Sequence, residues 1–111
     1  MAKGPSMLDQ YAEIKANHPD TILFFRMGDF YEMFYDDAVT AAEVLGITLT
    51  SRDKSSENPV PMAGVPWHSV EGYLQRMLRA GYKVTLCEQA DELQPGEKIL
   101  RRVVTLSLIH I

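Results

Sequence analysis

Phe24-Phe25-Arg26-Met27-Gly28-Asp29-Phe30-Tyr31-Glu32-Met33-Phe34-Tyr35 decides the reading of this chain. The stretch is crowded with aromatic and apolar side chains, and a Gly-Asp pair interrupts it where a chain would turn. It predicts a hairpin of two strands, Thr21 to Met27 and Phe30 to Tyr35, joined at Gly28-Asp29. Alternation along the second strand sends Phe30, Glu32 and Phe34 to one side and Tyr31, Met33 and Tyr35 to the other. A phenylalanine and a glutamate then stand together on one face. Two readings are open at this point: Phe30 as core with Glu32 as a rim charge, or the pair as a binding element.

Outward from the hairpin, Ile22 to Phe25 is a continuous apolar run, as in a central strand buried on both faces. Before it, Ser6-Met7-Leu8-Asp9 resembles a capping box, and Leu8, Tyr11 and Ile14 recur at helical spacing as far as Asn17-His18-Pro19. After it, Asp36-Asp37 are placed to cap a helix carrying Ala38, Ala41, Ala42 and Leu45, which stops at Gly46. Ile47 to Arg52 alternates like a half-buried strand. Pro59-Val60-Pro61-Met62-Ala63-Gly64-Val65-Pro66-Trp67-His68 holds three prolines and a glycine among apolar residues and is read as an irregular loop, tucked on the core or shown to a partner. Val70 to Gly81 has the pattern of an amphipathic helix. Tyr82 to Glu88 and Lys98 to Thr105 have the pattern of strands, with Cys87 a small buried hydrophobe. The expected class is α/β, a mixed β-sheet flanked by helices.

Composition narrows the function. The chain has 111 residues, 46% of them hydrophobic and 23% charged, enough for one core. Its apolar runs fall short of the roughly 18 residues of a membrane span, and Met1 to Pro5 has no apolar stretch to act as a signal peptide, so a cytoplasmic location and no membrane partner are expected. A single cysteine excludes an internal disulfide and a cysteine-cluster zinc site. The net charge of −4 argues against holding nucleic acid by electrostatics alone. Neither a phosphate-binding glycine loop nor a Ser-His-Asp arrangement is apparent. One enzymatic alternative remains: a small Mg²⁺-dependent nuclease using Asp29 and Glu32 with Asp36 and Asp37. It lacks the lysine such sites place two residues after a strand carboxylate, since Glu88 is followed by Gln89-Ala90. The wedge alternative asks less of the sequence. A phenylalanine at a hairpin tip can enter a base step from the minor groove, and a mispaired step resists least. A protonated Glu32 beside it could donate to a base nitrogen.

Arg26 to Ala38 resembles the signature of the N-terminal mismatch-recognition domain of the bacterial DNA mismatch-repair MutS family. Leu49-Thr50-Ser51-Arg52, Pro61 to His68 and Cys87-Glu88-Gln89 match the same family in the same order. The resemblance covers about Leu8 to Thr105. It implies a binding module, not an enzyme: Phe30 as the wedge, Glu32 as the carboxylate on the mispaired base, and Met62, Ala63, Gly64 and His68 against the DNA. Arg26, Met27 and Arg52 are further candidates for DNA contact. No metal site, catalytic residue or cofactor is expected in this fragment, because ATP and Mg²⁺ belong to another domain of the full-length family. Implied partners are mismatched double-stranded DNA, the other MutS domains and a second protomer. The expected division is 1–105 for the domain and 106–111 for a foreign or truncated tail, because the family continues differently after Thr105. The start reads as a natural N-terminus.

Overall fold

A computed structural model of the chain describes residues 7–52, 58–89 and 102–108. The elements follow in the order α1 (Met7–Asn17), β1 (Ile22–Met27), β2 (Phe30–Phe34), α2 (Tyr35–Leu45), β3 (Thr50–Arg52), β4 (Val60–Pro66), a 3₁₀ turn (Trp67–Ser69), α3 (Val70–Arg79), β5 (Val84–Gln89) and β6 (Arg102–Leu108). The strands form one sheet in the order β3-β4-β2-β1-β5-β6. β1 runs parallel to β5, and every other pairing is antiparallel. The expected mixed α/β sheet is therefore present.

β1 lies inside the sheet, and its residues Ile22 to Phe25 are buried whichever way they point, as their unbroken apolar run requires. Ile22 and Phe24 face α2 and α3, packing with Met33, Ala38, Ala41, Leu45, Leu74 and Met77. Leu23 and Phe25 face α1, packing with Tyr11, Phe34 and Cys87. The small residues of α2 bring that helix close to the sheet. Gly46 ends it in the left-handed conformation (φ 69).

Pro59 to His68 departs from the expected irregular loop, because most of it is strand β4. Its prolines sit where only one edge of the strand is paired. β3 pairs with residues 60–62 and β2 with residues 62–66, so Pro61 is paired on one edge alone and Pro66 closes the strand. A proline is tolerated in a strand where its missing N–H faces no partner. The flanking strands are shorter than expected. β3 begins at Thr50 instead of Ile47, and β2 ends at Phe34 instead of Tyr35. Tyr35 instead turns into the left-handed region (φ 57), a conformation costing a non-glycine residue about 1–2 kcal/mol. This bend carries Asp37 back over the start of β1. β6 runs on through the expected boundary at Thr105, with Leu106, Ser107 and Leu108 opposite Leu86, Thr85 and Val84. The capping residue Ser6 and the start of the expected last strand at Lys98 lie outside the described residues.

Candidate nucleic-acid interface

Residues directly opposite one another in neighbouring strands share a face. The register sets Met27 opposite Phe30 and Phe25 opposite Glu32 on one side of β2. On its other side it sets Pro66 opposite Phe30, Gly64 opposite Glu32 and Met62 opposite Phe34. α1 covers this face around Phe25 and Phe34, where Met7, Leu8, Tyr11 and Ile14 pack. Phe34 is fully buried there, whereas Phe30, four residues along the same strand and on the same side, is 45% exposed. The turn that precedes Phe30 needs a positive φ, which Gly28 supplies (φ 62).

Glu32 is half-buried and lies across β4. A Cβ placed on Gly64 would stand 2.5 Å from Glu32 Oε1, so the glycine is the floor on which the carboxylate rests. Arg52, exposed at the end of β3, faces the same way, since Arg52 pairs with Val60 and Thr50 with Met62. Burial pushes the Glu32 carboxyl above its ordinary value of 4.5, and the Arg52 charge pulls against that shift. The folded state then holds the Glu32 proton more tightly than the unfolded chain does. Ionising it costs stability as pH rises from 4.5 through the raised folded value. Glu32→Gln should accordingly be more stable than wild type at neutral pH, and the gap should close as pH falls below 4.5. Urea midpoints of the two proteins from pH 3 to 8 check this, and a gap that does not vary with pH would refute it.

The remaining candidates divide. Met27, opposite Phe30, and Met62, opposite Phe34, are partly buried against the α1-side cluster. His68 is exposed in the 3₁₀ turn that follows Pro66. Ala63 is 1% exposed and packs on the α2 and α3 face, so it has no surface to offer. Arg26 also faces the α2 and α3 side, where Nη1 meets Glu88 Oε1 at 3.1 Å and the guanidinium lies 4.3 Å from the centre of the Trp67 ring. Tyr31 donates to Glu88 in the same group, and burial together with Glu88 raises its phenol so that it stays protonated. Trp67, 46% exposed at this end of the sheet, was not singled out from sequence as a site residue. Its being the only tryptophan, beside His68, was the available signal.

The carboxylates weighed for a magnesium site lie apart. Asp29 is in the hairpin turn, Glu32 rests over Gly64, and Asp36 is exposed at the start of α2. Asp37 is buried beneath α1 and engaged by Tyr11, Lys15 and the Leu23 amide. Among the described residues, no three His, Cys, Asp or Glu side chains gather closely enough to hold a metal.

The family model described as MutS domain I matches residues 5–108. The chain belongs to the MutS domain I family. Three similar curated proteins are each called DNA mismatch repair protein MutS. That of Lawsonia intracellularis is 54% identical over 99 residues, covering 89% of this chain and 11% of the relative. That of Geobacillus sp. (strain WCH70) is 53% identical over 104 residues, covering 94% and 12%. That of Syntrophobacter fumaroxidans is 52% identical over 105 residues, covering 95% and 12%. This MutS domain I chain thus spans about an eighth or a ninth of the length of those relatives. The family match ends at residue 108, where β6 ends. Among the described residues, no helix is long and apolar enough to cross a membrane.

Proposed function

We propose that this chain is the mismatch-recognition part of a larger MutS protein, reading mispaired or short-looped duplex DNA with Phe30 as a minor-groove wedge and Glu32 on the mispaired base. The observation that carries the reading is the 45% exposure of Phe30 at the end of a paired strand, beside a half-buried carboxylate. Leaving a phenylalanine in water forgoes part of the ~1.5–3 kcal/mol that burial gives, so a partner surface is favoured there. A base step is such a surface, and a mispaired step is the cheapest to open, because unstacking costs about a few kcal/mol when pairing is sound. Arg52 and His68, both exposed, are the residues we assign to backbone contact.

The chain acts as a binding module. Its net charge of −4 is consistent with a duplex held mainly by other MutS domains, with this one discriminating. ATP and Mg²⁺ serve a different domain of the full-length protein, and a second protomer completes the clamp, only one copy inserting its phenylalanine. The site of action is the bacterial cytoplasm, at the nucleoid.

The test places residues 7–108 in the full-length Geobacillus relative and compares wild type with Phe30→Ala on homoduplex and G·T-mismatched DNA. The mismatch preference of the variant is expected to fall at least about tenfold, ~1.4 kcal/mol. Homoduplex affinity should stay near that of wild type. An undiminished preference would end the wedge reading.

A further inference from the structure

We infer that Arg26 is a positioning residue, a latch on the far side of the sheet that fixes the hairpin turn and so holds Phe30 proud of the surface; this rests on the reading of Phe30 as the wedge. The Arg26 guanidinium makes three contacts at once. Nε donates to the Gly28 carbonyl at 2.5 Å, Nη1 donates to Glu88 at 3.1 Å, and the planar face stacks on Trp67 at 4.3 Å. Glu88 is held in turn by the Tyr31 hydroxyl. The second carbonyl of the turn, that of Asp29, accepts from the Trp67 amide at 2.7 Å. Both peptide carbonyls of the Gly28-Asp29 turn are therefore tied to one small cluster of Arg26, Trp67 and Glu88, and Phe30 is the next residue along the chain.

A wedge must stay extended while it presses on stacked bases, and a two-residue turn ending in an exposed aromatic is free to fold down unless something holds it. The latch supplies that support from behind the sheet, away from the face that carries Phe30 and Glu32. Arginine suits the position because its rigid fork and flat face serve two hydrogen bonds and a stack at once. Lysine can keep the Glu88 ion pair but not the stack and the fork together.

The test uses Arg26→Lys, Trp67→Ala and their double variant in the full-length Geobacillus relative carrying residues 7–108, with Phe30→Ala alongside. Arg26→Lys is expected to lower the mismatch-over-homoduplex ratio about five- to tenfold, the scale of a lost cation–π contact, with homoduplex affinity and its salt dependence unchanged. The double variant should be no worse than the worse single one, since both break the same latch. In the 111-residue chain, whose one tryptophan is Trp67, Arg26→Lys should also shift the indole emission. A retained ratio despite the emission shift would overturn the latch. So would a loss of homoduplex affinity with a shallower salt slope, which would make Arg26 a phosphate contact. If Phe30→Ala also leaves the ratio intact, the wedge reading falls and takes the latch with it. If Phe30→Ala abolishes preference while Arg26→Lys does not, the latch alone fails.

Discussion

Asp37→Ala should cost the fold about 3–5 kcal/mol, the loss expected when a buried charge network is deprived of one member. Asp37 is 6% exposed and serves three donors. The Leu23 amide reaches Oδ2 at 2.9 Å, the Tyr11 hydroxyl reaches it at 3.3 Å, and Lys15 Nζ lies 3.0 Å from Oδ1. The Leu23 amide sits where β2 leaves the sheet for α2, so the carboxylate takes the place of a strand partner. Truncation strands the buried Leu23 amide, at a cost of about 1–3 kcal/mol, and takes the counter-charge from Lys15, which keeps the Thr21 carbonyl. Its neighbour Asp36 is exposed, and Asp36→Ala should stay within about 0.5 kcal/mol. Urea unfolding of the three proteins with unchanged m-values decides the matter. A loss below about 1 kcal/mol for Asp37→Ala would mean that water replaces the carboxylate, and that the hub is dispensable.

Phe34→Ala and Phe30→Ala should separate widely, though both residues sit on the same side of β2. Phe34 is fully buried, its ring edge-on to Tyr11 with centroids 5.0 Å apart, and its truncation should cost about 3–5 kcal/mol. Phe30, with 45% of its surface in water, should cost under about 1 kcal/mol. Thermal or urea unfolding of both variants provides the comparison. Similar losses would make Phe30 a core residue and remove the ground for treating it as a probe.

Much of this was legible in the residues. The hairpin, the central strand and three helices follow from periods of two and 3.6 and from glycine stops, and the Phe30–Glu32 pair follows from strand alternation alone. What the residues alone do not show shares a cause: each feature depends on a partner distant in sequence. Pro61 and Pro66 argue against a strand until the two edges of β4 are seen to be paired over different lengths. Alternation was the missed clue, since Ala63 and Val65 are buried between less buried neighbours. Asp37 reads as a helix-capping acid, but Phe34 stands at the N-cap without a side-chain cap, and the carboxylate serves β1 and α1 instead. Arg26 and Ala63 lie within motifs that resemble the family's DNA-contacting stretches, yet both face α2 and α3, and only strand register reveals this.

Because Phe30 and Glu32 are borne on β2, which is paired along both edges there, their patch has little compliance of its own. A surface that cannot yield transfers all distortion to whatever meets it. Selection at such a surface depends less on a pattern of donors and acceptors than on how softly the partner bends, and duplexes differ in that elasticity at each step. On the wedge reading we propose, the hairpin would work as a mechanical gauge whose sensitivity is set by the stiffness of the sheet behind it.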